Sequence, residues 1–327
     1  MAIVNSVLGP IRTEDMGYTL MHEHLLVLDW TMRLSFDDWF NVDEVFQINC
    51  NEVKAATDVG VRTIVDGTAV NMGRDPELMK RVSEAMGVHM IASTGFYHQN
   101  EFWQMNKNPD NIARLIVRDI ERGMNGTDIK AGIIKCGIDA DGLSPQIQMV
   151  LKAVAKAHVE TGAPIYCHTV PDEDKGLKIM EFLLDRGVDP KKLVIGHRAD
   201  NWKDPYAKEL SDCRTIMDRG CYLGLDRLGD PDLNPLPRRV KNAVELIEKG
   251  YLNQMIFSHD FTGYCDWLSF DWKEMKDFPV EKQQLGMYQK FSMGFVSQVF
   301  VPELLKKGIT MDQIQTILVD NPRRIFE

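Results

Sequence analysis

The tightest constraint on this chain is a rhythm. Short apolar runs rich in β-branched residues recur along it, each followed by a stretch with apolar positions at helical spacing. The runs fall at residues 18–27, 62–66, 88–94, 131–136, 164–168, 193–197, 221–225 and 254–258. Helix signals lie between them. Asp75-Pro76 puts a cap and an N1 proline before a helix, Ser144-Pro145 does the same for one running to Thr161, and the segment 42–60 ends at a glycine. Further helices are predicted over 111–122, 175–186, 205–219 and 238–249, with closing helices after about residue 284. Strands alternating with helices are the pattern of a parallel α/β fold. The chain has 327 residues, 44% of them hydrophobic, enough for one (β/α)8 TIM barrel. That is the predicted fold, with a doubly wound sheet as the alternative. No shift of composition or Ser/Gly-rich linker divides the chain, so residues 1–327 are read as a single domain.

Charge and cysteine usage narrow the function. A formal net charge of -10 argues against a nucleic-acid or anionic-membrane surface. No apolar run approaches the ~20 residues needed to span a bilayer. The N-terminus lacks the charged and apolar regions of a secretory signal. The six cysteines are scattered without CxxC spacing, which suggests reduced thiols and a cytoplasmic location. Cys136, Cys167 and Cys221 sit inside apolar runs and are read as small buried hydrophobes, with ligation as the alternative.

A buried strand should stay apolar to its end, yet several of these runs finish in polar groups. The first closes on His22-Glu23-His24, whose two imidazoles share one face of a strand and can reach one metal together. Lys135 lies in the fourth run, His168 ends the fifth, His197 ends the sixth, and Asp260 follows the eighth. In a barrel those tips form one rim, the active-site face. Each alone reads as a satisfied polar group, but six metal-competent side chains on one rim point to a metal site. Lys135 is the informative member, because burying an unpaired ammonium costs several kcal/mol and favours the neutral amine. A neutral amine can add carbon dioxide, giving a carbamate whose two oxygens can bridge two cations. A salt bridge to a rim acid or a Schiff-base nucleophile are the alternatives. The surrounding histidines favour the carbamate.

With these motifs the chain resembles the phosphotriesterase family of the amidohydrolase superfamily, in particular its lactonase branch. The resemblance runs from Leu8-Gly9-Pro10-Ile11 through Met21-His22-Glu23-His24 to Asp320-Asn321-Pro322-Arg323-Arg324-Ile325-Phe326. It implies a binuclear centre, with His22, His24 and Asp260 on the buried metal and His168 and His197 on the exposed one. Carboxylated Lys135 would bridge them. Zinc is the expected ion, and iron, cobalt and manganese also tolerate this donor set. The resemblance further implies a bridging hydroxide as nucleophile, Asp260 as the group that takes and passes on the proton, and a homodimer. His259 is read as structural.

Tyr97, after the third run, and Arg227, after the seventh, match the positions at which the lactonase branch orients the lactone ring. An aromatic plug and a loop salt bridge of Arg227 with Asp226 or Asp230 are the alternatives. The segment 261–272 is rich in aromatics, Trp267 among them, and is read as a lid that binds an acyl chain or merely packs on the barrel. The loops after His168 and His197 are more charged than the lactonases suggest. The expected activity is hydrolysis of lactone esters, N-acyl homoserine lactones in particular, with slow hydrolysis of organophosphate triesters. Phosphorylated sugar lactones are the rival substrates, for which Arg198, Lys203 and Arg227 would supply cations. A barrel that binds metal or ligand without catalysis is the rival of another class.

Overall fold

The computed structural model describes residues 2–171, 174–200, 206–229, 234–267 and 291–327. An antiparallel hairpin, β1 (Ile3–Ser6) and β2 (Gly9–Arg12), comes first. The strands β3 (Thr19–His24), β4 (Thr63–Asp66), β5 (His89–Gly95), β6 (Ile133–Ile138), β7 (Ile165–Thr169), β8 (Leu193–Ile195) and β9 (Tyr222–Leu225) then pair in parallel, each with the next. The eighth barrel strand is split into β10 (Met255–Phe257) and β11 (Phe261–Thr262). β10 pairs with β9 and β11 pairs with β3, so this one broken strand closes the (β/α)8 barrel. Helices α1 (Trp30–Ser35) and α2 (Val42–Asp58) both follow β3, and α3 (Pro76–Met86), α4 (Pro109–Glu121), α5 (Pro145–Thr161), α6 (Lys175–Leu184), α7 (Tyr206–Asp218) and α8 (Leu236–Glu248) each separate two later strands, before the closing helices α9 (Val301–Lys306), α10 (Met311–Gln315) and α11 (Asn321–Phe326). Asp75 and Ser144 cap α3 and α5 as the sequence predicts, their side chains accepting from Leu78 N–H and Ile147 N–H.

Period-2 alternation sorts the side chains. One residue from each barrel strand (Met21, Val65, Ile91, Ile133, Tyr166, Val194, Tyr222 and Ile256) enters an inner cluster that fills the barrel. Residues of opposite parity, such as Ile134, Cys136, Cys167 and Leu223, face the helices. Two positions further along β6 and β7 from Ile133 and Tyr166 stand Lys135 and His168, above that inner layer. β3 reaches the same level by an irregularity. Its pairing with β4 slips between Leu20 and Glu23, so Met21 fills the barrel while His22 and His24 still turn inward and Glu23 turns out.

Glu23 then ties the broken eighth strand together. Its carboxylate accepts from Ser258 Oγ at 2.8 Å, His259 N–H at 3.0 Å, His259 Nδ1 at 2.8 Å and Phe261 N–H at 2.8 Å. His259 Nε2 in turn accepts from Val296 N–H at 3.1 Å. The structural reading of His259 is thereby given its partners. All six cysteines are free thiols, and Cys136, Cys167 and Cys221 are fully buried.

Candidate metal centre

His22, His24, Lys135, His168, His197 and Asp260 converge at the carboxyl end of the barrel. His22, His197 and Asp260 bring donor atoms within 4.8 Å of one another. The Nε2 atoms of His24, His22 and His197 stand 3.2, 3.6 and 3.7 Å from the Asp260 carboxylate. The opposite ring nitrogens are held from behind. His24 Nδ1 lies 2.9 Å from Thr68 Oγ1, and His22 and His197 Nδ1 each lie 2.9 Å from one oxygen of Asp226. Room for His22 comes from Gly67, where a Cβ would sit 2.6 Å from the imidazole.

Backbone strain is stored here. His197 and Asp260 both have φ of +57°, a region that non-glycine residues seldom occupy. Asp226 Oδ1 accepts His197 N–H at 2.8 Å and His22 carbonyl accepts Asp260 N–H at 3.0 Å, which holds both turns.

Electrostatics suit ligation. Burial, with the Lys135 charge, lowers His22 to about 3. Burial likewise lowers His197 and takes His168 well below the ordinary range, so these rings are neutral donors. Burial opposes ionisation of Asp260, yet the facing ring nitrogens of His197, His22 and His24 and the Arg227 guanidinium outweigh it and keep the acid well below the usual carboxylate range. Lys135 is 1% exposed, and burial lowers its amine to about 8. Its Nζ lies 2.5 Å from His22 Nε2 and 4.9 Å from the Tyr166 ring. Among the described residues no carboxylate forms an ion pair with it. Buried neutral nitrogen donors, a carboxylate and an unpaired buried amine together fit divalent metal.

His168 stands slightly apart. Its Nε2 lies 2.9 Å from Asp139 Oδ2 and its Nδ1 3.0 Å from the Tyr97 hydroxyl, while its ring is 4.7 Å from that of His197. His98 Nε2 lies 3.5 Å from the same Asp139 oxygen. Arg227 donates from Nε to Asp260 Oδ2 at 3.1 Å, so among the described residues its carboxylate partner is the rim acid and not Asp226. The half-exposed Trp267 ring lies 6.1 Å from that of Tyr97.

Arg198 differs from expectation. It is buried and donates to the carbonyls of Val170 and Pro171, away from the cluster. Lys203, Asp230 and the lid expected beyond Trp267 lie outside the described residues.

The sequence matches the phosphotriesterase family over residues 2–326. The chain belongs to that family. It is 35% identical to an aryldialkylphosphatase of Saccharolobus solfataricus, over 97% of this chain and 96% of the relative. A phosphotriesterase homology protein of Mycobacterium tuberculosis is 36% identical over 100% and 98% of the two chains. More distant is an N-acetyltaurine hydrolase of Danio rerio, 25% identical over 98% and 97%. As a phosphotriesterase-family protein the chain is a metal-dependent hydrolase, and its His/Asp cluster lies where this barrel fold carries active sites. No helix among the described residues is long and apolar enough to cross a membrane.

Sequence reading overlooked Thr68, Asp139 and His98, and it took Asp226 only as a partner for Arg227 and not as the carboxylate behind His22 and His197. A carboxylate ending the apolar run before Arg227 was a usable signal for Asp226. Thr68, Asp139 and His98 gave none, because polar residues in loops are ordinary.

Proposed function

We propose that this phosphotriesterase-family hydrolase is a lactonase, opening N-acyl homoserine lactones and, more slowly, hydrolysing organophosphate triesters. Two divalent ions, zinc by preference, would be held by His22, His24, His168, His197 and Asp260, with Lys135 as its carbamate between them. When bound, such ions lower the pKa of water and polarise the ester carbonyl or phosphoryl oxygen.

The remaining chemistry belongs to the chain. Asp260, an ionised carboxylate with Arg227 on Oδ2, accepts the proton released on attack and returns it to the leaving alkoxide. Tyr97, whose hydroxyl stays protonated because burial raises it, donates a hydrogen bond to the substrate carbonyl region. Trp267 and Tyr97 offer the acyl chain an aromatic wall.

The observation that carries this reading is the flanking of one cluster by two polar orienting groups, Tyr97 on His168 and Arg227 on Asp260. The aryldialkylphosphatase relative supports the triester side activity. Arg198, bonded to backbone carbonyls, weighs against a phosphorylated sugar lactone. The same reading carries a single domain, a homodimer and a cytoplasmic location.

Proton release by the zinc-loaded protein with long-chain N-acyl homoserine lactone tests it, with paraoxon alongside. Fast lactone opening and slow paraoxon hydrolysis is the expected result. No lactone opening by protein shown to hold two metals would refute it and leave sugar-phosphate lactones to be tried.

A further inference from the structure

Tyr166 is out of character with its surroundings. Alternation on β7 sends it into the inner layer of the barrel, beside Met21, Val65, Ile91, Ile133 and Val194. A phenol there needs a partner for its O–H, since an unpaired buried hydroxyl costs about 1–3 kcal/mol. It has one, donating to Asp226 Oδ2. The two strands that follow leave space for this contact. A Cβ on Gly196 would sit 2.7 Å from both the Tyr166 ring and Asp226 Oδ2, and one on Gly224 would sit 2.6 Å from the hydroxyl. The ring also lies 4.5 Å from that of His22.

Asp226 is buried and receives four hydrogen bonds. Two come from the imidazoles of His22 and His197, the groups that it orients. That leaves two independent anchors, one per oxygen: His197 N–H on Oδ1 and the Tyr166 hydroxyl on Oδ2. A carboxylate anchored at both oxygens has its plane fixed. Anchored at one, it can pivot, and both imidazoles swing with it.

We propose that Tyr166 is a positioning residue for the metal centre: its hydroxyl fixes the Asp226 carboxylate, which in turn aims His22 and His197. The inference rests on the reading of those two imidazoles as metal ligands. Partners that orient ligating histidines are typically worth 10- to 100-fold in metal affinity. Asp226 keeps three of its four donors when the hydroxyl is removed, so the lower end applies here.

Tyr166→Phe deletes the hydroxyl and keeps the ring. The test is the rate at which the zinc-loaded full chain releases Zn2+ to an excess of chromophoric chelator, measured also in an Asp226→Asn background. Release about 10-fold faster in Tyr166→Phe, with no further acceleration when it is added to Asp226→Asn, is the expected result. An unchanged rate overturns the proposal. So does an equal acceleration in the Asp226→Asn background, because the tyrosine would then act through packing alone. Tyr166→Leu also deletes the hydroxyl, with a smaller apolar side chain, and serves if Tyr166→Phe does not fold. An acceleration that the Asp226→Asn background abolishes supports the proposal there, and an unchanged rate overturns it. A native protein that retains no divalent ion overturns the metal-centre reading itself, which separates that failure from this one.

Discussion

Lys135 offers the sharpest quantitative test, because its effect can be isolated by substitution. The amine is buried, sits 2.5 Å from a neutral imidazole nitrogen, and has no ion-paired carboxylate among the described residues. Burial lowers its pKa from 10.5 to about 8. In the unfolded chain the ordinary value returns, so between pH 8 and 10.5 the unfolded state binds more protons than the folded one. Stability must therefore rise with pH across that window. The penalty of burying the ammonium is fully present below pH 8 and is relieved as pH approaches 10.5. A difference of roughly 2.5 pH units corresponds to about 3 kcal/mol.

Lys135→Met removes the titration and keeps a long, unbranched side chain. Unfolding free energies of the two metal-free proteins are measured by denaturant titration from pH 7 to 11 in buffer depleted of carbon dioxide. Titrating groups that do not feel the lysine charge cancel in the difference. Native protein should gain about 3 kcal/mol on the variant over this range. A flat difference would mean that the amine keeps its ordinary pKa, and a falling one that the folded state favours the ammonium. Either refutes the reasoning. The result bears directly on the chemistry: at pH 7 a lysine of pKa 8 is about one-tenth neutral, roughly 300-fold more than an unperturbed one. Only the neutral amine adds carbon dioxide.

Three further outcomes are expected. Asp226→Asn loses the anion on which both His22 and His197 depend, so chelator competition should show zinc affinity about 100-fold weaker. Glu23→Gln leaves its four donors without a buried carboxylate and should lower the unfolding free energy by about 3 kcal/mol in guanidinium melts. Arg227→Met should reduce kcat/KM for the lactone about 10- to 100-fold, with metal content unchanged by elemental analysis.

Much of the barrel was legible because apolar runs and capped helices repeat with one period, and each signal is local. Asp75 before Pro76 and Ser144 before Pro145 act as caps through contacts three residues away. The N-terminal hairpin escaped notice for the opposite reason: its strands are four residues each, and neither carries a long apolar face. The six rim residues were conspicuous because histidine, lysine and aspartate interrupt or follow apolar runs. What holds them was not. Thr68 lies 44 positions from His24, and Asp226 lies 204 from His22, so their meeting depends on closure of the barrel and leaves no local trace.

The two arginines show the same limit at closer range. Arg198 and Arg227 each follow a polar residue at a strand tip, Arg227 expected at a lactone and Arg198 at the phosphate of a rival substrate. The structure separates them through backbone geometry. His197 and Ala199, on either side of Arg198, both have φ of +57°, and this double reversal carries Arg198 towards α6. There Gly176 makes room: a Cβ would stand 3.2 Å from the arginine Nε. Arg227 follows Asp226 without any such reversal and reaches Asp260. The strain at His197 thus does two things at once. It turns one imidazole into the cluster, and it takes the adjacent cation out of it, leaving Arg227 at the rim acid.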